Sequence, residues 1–278
     1  MMRLDTAMSR RSALTGMAAL SAGAALGGCA PTLAGLPGGI TDADILNFAL
    51  NLEYLEAEYY LKGTTGRSLG LGPVNGGRAV PFQTSAFRQF AEEVTRDEVA
   101  HVKFLRGALG ASAVPPPPID FTNAFDAAGQ AAGLGAGFDP FADETSFFLG
   151  AFLFEDVGVT AYNGAAPLIT SKAILEQAAG ILAVEAYHGG MVRSQIMSMG
   201  QGPSQATEAI SNARDSLDGS ADLDQGVITG NFAPLDPDAK AFARLPQQVL
   251  NIVYLTPERG VSAGGFFPQG VNGTLRTT

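Results

Sequence analysis

Both histidines of this chain sit in the same four-residue pattern, and no other feature constrains the fold as strongly. Glu98-Val99-Ala100-His101 is one copy, Glu185-Ala186-Tyr187-His188 the other, and there is no third His. On a helix, residues three apart share a face, so each Glu can act together with its His from one side. A lone pair of this kind is usually a solvated surface pair. Two copies that use every His in the chain point instead to two helices facing one another across a shared site.

The surrounding sequence supplies the helices. Thr41 precedes Asp44 in capping-box spacing, and an apolar stripe through Ile45, Ala49 and Leu52, with Leu46 and Leu50 beside it, predicts a helix to about Leu61, ending at Lys62-Gly63. A Gly-rich loop follows over 63–81. A second helix is expected from Ser85 to Leu109, capped by Gly110, on the apolar positions Phe87, Phe90, Ala91, Val94, Val99 and Phe104. The run Pro115–Pro118 makes a stiff crossover. Asp143 can cap a third helix to about Asn163, and Ser171 a fourth to about Met199, where Gly200 stops it. Shorter helices are expected over Ser204–Leu217 and Leu245–Tyr254, with a Gly-rich tail over 258–278 lying across the surface. No segment alternates as a sheet strand does. The expectation is all-α: a four-helix bundle over 31–200, built from two hairpins with a long crossover, followed by a 201–278 extension of short helices and irregular tail.

The two halves, 41–110 and 143–200, look duplicated. Aligning Glu53 with Glu155 also aligns Tyr60 with Tyr162, Leu46 with Phe148, Ala49 with Ala151 and Leu52 with Phe154. Aligning the two Glu-x-x-His motifs aligns Ala91 with Ala178, Val94 with Ile181 and Phe104 with Met191. The first and third helices therefore each offer one carboxylate, Glu53 and Glu155, at the depth of the motifs. Glu56, one turn beyond Glu53, is a further candidate as an extra ligand, a supporting partner or a surface charge; its counterpart is Gly158, so symmetry favours Glu53. Tyr60, Tyr162 and Tyr187 read first as core aromatics, and Glu92, Glu93 and Asp97 as a solvated face.

Glu53, Glu98, His101, Glu155, Glu185 and His188 are four carboxylates and two imidazoles from four helices, the set that holds two iron or manganese ions in a bundle core. Cations also resolve a difficulty. Four carboxylates in an apolar core repel one another, and Glu155 stands in the run Phe147-Phe148-Leu149-Gly150-Ala151-Phe152-Leu153-Phe154, where an unpaired charge is costly.

The amino terminus reads as an address. Arg3, Arg10 and Arg11 precede an Ala/Gly/Leu stretch, so residues 1–30 are expected to be an export signal. Arg10-Arg11 resembles a twin-arginine signal, and Leu26-Gly27-Gly28-Cys29 resembles a bacterial lipobox, which would lipidate Cys29 and tether the protein to a membrane, on the periplasmic side or at the surface of a bacterium. Loss of residues 1–28 removes three Arg and one Asp, leaving 14 basic against 26 acidic residues. That balance argues against a nucleic-acid partner. The single Cys excludes an internal disulfide and a Cys-rich metal site.

With these residues in view, the chain resembles a ferritin-like protein, and within that superfamily the branch of desiccation-related proteins. The stretch Ile45–Tyr60 is similar to that branch's first helix, and Gly264-Gly265-Phe266-Phe267-Pro268-Gln269-Gly270 to its end. The resemblance implies a four-helix bundle with a dinuclear site whose ligands fall on the same six positions. It also implies a superfamily of ferroxidases, rubrerythrin-like peroxidases and manganese catalases. Three functions stay open at this point: a redox or oxidant-protective protein acting on peroxide or dioxygen; a protective or binding bundle without turnover; and iron oxidation with storage. A small oxidant or a metal ion is the expected partner, and self-association is left open.

Overall fold

A computed structural model describes residues 38–228 and 230–278; the expected signal over 1–30, with Cys29, lies outside them. Seven helices occur among the described residues: α1 Asp42–Thr65, α2 Ser85–Leu109, α3 Thr122–Ala131, α4 Glu144–Ala165, α5 Lys172–Ser198, α6 Gln201–Asp218 and α7 Pro246–Val253. Two residue pairs, β1 Val74–Asn75 and β2 Ile119–Asp120, form a minimal parallel ladder that ties the α1–α2 loop to the crossover.

Local chemistry sets the helix starts. The Thr41 hydroxyl accepts from the Asp44 amide and the Asp44 carboxylate accepts from the Thr41 amide, closing a capping box. Asp143 and Ser171 cap α4 and α5 through the amides of Ser146 and Ile174. Helix α1 continues past Gly63 to end at Gly66, whose left-handed backbone (φ 70°) lets its amide reach the Lys62 carbonyl. Helix α6 begins at Gln201, directly after Gly200 breaks the axis.

α1 pairs with α2 and α4 with α5, and the two hairpins then pack α1 on α4 and α2 on α5. The pairs differ in burial. α2 and α5 bury one face, whereas α1 and α4 are buried almost all round. An all-round apolar helix needs cover on its outer side as well. The segments outside the four-helix bundle supply it. Helix α3, inside the crossover, has no side-chain cap and was not legible in its Ala/Gly-rich sequence. It brings Phe125 beside Tyr59 and Phe154. The tail is not a surface strap, as its glycines suggested. Phe266 and Phe267 are fully buried, Phe266 packs edge-on against Phe125 and Phe154, and Asn272 and Asn51 exchange hydrogen bonds. Aromatic edge-to-face contacts of this kind add about 0.5–1.5 kcal/mol each beyond area burial.

A second buried feature joins the extension to the bundle. Arg193 of α5, Arg214 of α6 and Arg244 are almost fully buried. Arg193 donates to Asp156 (2.7 Å), and Arg214 to both Asp156 (3.3 Å) and Asp224 (3.0 Å). Arg244 donates to Asp224 and Asp218 (both 2.5 Å) and to the Thr160 hydroxyl (3.1 Å). The guanidinium groups of Arg193 and Arg214 also lie over the Phe152 ring, at 5.3 and 4.6 Å from its centre. Three cations and three carboxylates balance, and each Arg gains bonds that offset its desolvation.

Candidate metal centre

α1 and α4 deliver Glu53, Glu56 and Glu155 to the bundle axis, while α2 and α5 deliver Glu98–His101 and Glu185–His188. All seven side chains are buried. They form three overlapping groups whose ligand atoms lie within 4.8 Å of one another: Glu53, Glu98, His101 and Glu185; Glu98, Glu155 and His188; and Glu56, Glu155 and Glu185. His101 Nδ1 is 3.2 Å from Glu53, 3.4 Å from Glu185 and 3.6 Å from Glu98 Oε2. His188 Nδ1 is 3.1 Å from Glu98 Oε1 and 3.6 Å from Glu155. Glu98 thus turns one oxygen to each histidine and belongs to two of the three groups.

Glu56 belongs to this cage, and Gly158 is what admits it. A β-carbon at residue 158 would lie 2.7 Å from Glu185 Oε2 and 3.3 Å from Glu56 Oε1. The pair that breaks the internal symmetry is therefore a single steric unit: a fifth carboxylate on one helix and a missing side chain opposite it.

Two tyrosines hold the cage carboxylates in crossed fashion. Tyr60 of α1 donates to Glu155 of α4, and Tyr162 of α4 donates to Glu53 of α1. Both are core aromatics as well. Tyr187 is neither: it is 73% exposed on the outer face of α5, and Phe104 and Met191 are also exposed. Tyr187 lies next to an inward His, so its side chain turns to the outer face.

Asp97 lies on the solvated face as expected, its side chain 40% exposed, and it has a partner there as well. Its Oδ2 lies 3.3 Å from His188 Nε2, on the ring edge away from the cage. Sequence gave a signal only in retrospect, since the residue before a ligand Glu on one helix faces the His of the other. The duplicated position on α5 is Val184, so His101 has no matching carboxylate there. The geometry makes Nε2 the protonated nitrogen of His188 and Nδ1 its ligand atom, with Asp97 raising its basicity. Asp97→Asn is expected to weaken binding of the ion at His188 by about 10–100-fold while sparing the one at His101. Calorimetric titration of cation-free protein would show this as a widened gap between two binding steps; equal weakening of both would reject the assignment.

The donor set fits cations on the structure's own terms. Nine buried atoms of the cage have no hydrogen-bond partner: Glu53 Oε2, Glu56 Oε2, both oxygens of Glu98 and of Glu185, Glu155 Oε2, and Nδ1 of each His. Burial, reinforced by Glu98, pushes Glu53 up to about 7, and burial drives Glu155 up to about 8 against the pull of His188. Burial and neighbouring carboxylates carry Glu56 and Glu185 well above the ordinary range. Burial alone would depress His188, but Glu155 and Glu98 lift it to about 10, and carboxylates lift His101 likewise. Only Glu98 is held low, at about 2, because attraction to both histidines outweighs its burial. Without cations, then, this cage gathers protons. Oxygen and imidazole donors in these numbers suit iron or manganese.

Comparison with known proteins adds an independent finding. A family profile described as a ferritin-like domain matches residues 41–198, the span of all four bundle helices. Over most of its length the chain is similar to a ferritin-like catalase, Nec2, of Nesocodon mauritianus, with 27% identity over 89% of each chain. It is also similar to the desiccation-related protein PCC13-62 of Craterostigma plantagineum, with 28% identity over 84% of this chain and 83% of that one.

Proposed function

The chain belongs to the ferritin-like domain family, and from that premise we propose that it is a dimetal oxidoreductase that consumes hydrogen peroxide in an oxidant-protective role. The observation that carries the reading is the cage itself: seven buried ligand side chains whose partnerless atoms converge around Glu98. The likeness to a protein named as a catalase supports peroxide as the substrate, and the likeness to a desiccation-related protein supports a role under stress.

Two redox-active ions held here would supply a two-electron couple, taking electrons from one peroxide and returning them to another. The chain's own residues do the rest. Glu53, Glu98, His101 and Glu185 would hold one ion, and Glu98, Glu155 and His188 the other. Asp97 fixes the His188 ring, and Tyr60 and Tyr162 fix the orientation of Glu155 and Glu53. Glu56, with its raised affinity for protons, can hold one on Oε2 beside the reacting oxygens. The surrounding Phe, Leu and Val side chains keep bulk water out. Export through the amino-terminal segment, with tethering at Cys29, completes the proposal and places the activity outside the cytoplasm.

Oxygen release from peroxide by purified protein loaded with manganese or with iron, alongside its metal content, tests the reading. Turnover with about two ions per chain is the expected result. Full metal content without oxygen release would favour a structural metal in a protective bundle, and progressive uptake of oxidised iron would favour storage.

A further inference from the structure

The cage has a thin side. A small cavity lies between α1, α4 and α7, lined by Leu52, Leu153, Val157, Ile252 and Val253 together with Glu56 and Gly158. Two of these residues belong to the metal centre already described. Glu56 is 93% buried by its 7% exposure, and its Oε2 has no hydrogen-bond partner. Gly158 is the wall between cavity and cage: it lines the cavity, and the place where its side chain would stand is filled by Glu185 and Glu56 oxygens at 2.7 and 3.3 Å. On the opposite side of the bundle the approach is different, because Asp97 stands against the outer edge of His188.

From this juxtaposition we infer that the α1/α4/α7 cavity is the entry vestibule for the oxidant, and that it selects small uncharged molecules of the size of hydrogen peroxide. The inference deepens the peroxide reading and rests on it. The lining is aliphatic apart from Phe154 and Glu56, so an anion entering would lose its hydration without gaining a partner. A neutral peroxide can cross such a lining and find a hydrogen-bonding carboxyl at the far end. Bulk is excluded because the lining side chains are themselves buried and close-packed. α7 is the movable term in design, since Ile252 and Val253 touch the cavity but are not part of the cage.

Two substitutions there act in opposite directions. Val253→Phe fills the vestibule, and Ile252→Ala widens it. Leu250→Ala, buried in the same helix but absent from the lining, controls for loss of stability. Stopped-flow mixing of metal-loaded protein with hydrogen peroxide or with tert-butyl hydroperoxide reads entry, and metal content is measured on every sample. The expected result is a peroxide reaction slowed about tenfold or more in Val253→Phe at unchanged metal content. In Ile252→Ala, tert-butyl hydroperoxide gains by a similar factor relative to hydrogen peroxide, and Leu250→Ala alters neither ratio. Hydrogen peroxide added to cation-free protein gives a readout without turnover: methyl resonances of Leu52, Leu153 and Val157 should shift in the wild type and stay in place in Val253→Phe. An active wild type whose two lining variants keep both wild-type rates would overturn the entry route and leave the peroxide function standing. A metal-loaded wild type inert to peroxide, whose methyls in the cation-free form still respond to it, would overturn the peroxide reading and the oxidant's route to a reaction with it.

Discussion

With His101 and His188 both replaced by Ala, transition-metal content falls from about two ions per chain to nearly none. Each His contributes the only nitrogen in its half of the cage, and each Nδ1 sits within 3.6 Å of at least two carboxylates. Elemental analysis of variant and wild type purified side by side decides the matter, and full stoichiometry in the variant would reject the centre as described. The same cage predicts an unusual pH response in the cation-free wild type. Glu53 at about 7 and Glu155 at about 8 lie above the values of an unfolded carboxylate, and His188 at about 10 lies above that of an unfolded His. Between the unfolded and folded values of each group the folded state binds more protons, so stability falls as pH rises. Cation-free protein should therefore melt lower at pH 9 than at pH 6. Metal-loaded protein, whose ligands are already deprotonated, should lose that slope or reverse it. Parallel slopes for the two forms would mean that the groups titrating are not those that hold metal.

Replacing Arg244 by Met is expected to cost about 3–5 kcal/mol and to lower the melting temperature by about 10 °C or more. The loss of packing is small, because Met fills much of the volume. The loss of charge is not, because Asp218 and Asp224 are each 2.5 Å from this guanidinium and both are buried. Burial raises the Asp224 carboxyl, and it is the charges of Arg214 and Arg244 that hold it below its usual value. A shift of only about 2 °C in calorimetry would show that Arg214 alone suffices to balance the cluster.

The bundle was legible because its signals are local or periodic. Caps at Thr41, Asp143 and Ser171, apolar stripes, and the doubled Glu-x-x-His motif place four helices and bring six candidate ligands together without any knowledge of long-range contacts. Glu56 was left ambiguous, since its inclusion depends on space created by Gly158 on another helix, and the internal alignment read that glycine as a reason to set Glu56 aside. The contact of the exposed Asp97 was not legible for a related reason: its partner, His188, is ninety-one positions away. The Arg–Asp cluster and the buried tail escaped altogether. Charged residues scattered over 156–244, and glycines near Phe266, carry no period, and sequence composition treats both as surface.

The unit that carries the buried carboxylate and histidine cage is thus smaller than the unit that must fold. Residues 41–198 hold every candidate ligand named above. Yet a chain ending near residue 200 would leave Arg193 and Asp156 without Arg214 and the Gly226 carbonyl, and would uncover the flank of α4 where Phe266 sits. The later residues act as a keystone, set last and holding the arch. A truncated bundle would then be a loosened ensemble, its ligands too mobile to hold two ions at fixed separation, and unfolding of the whole would be a single cooperative event from Thr41 to Leu275.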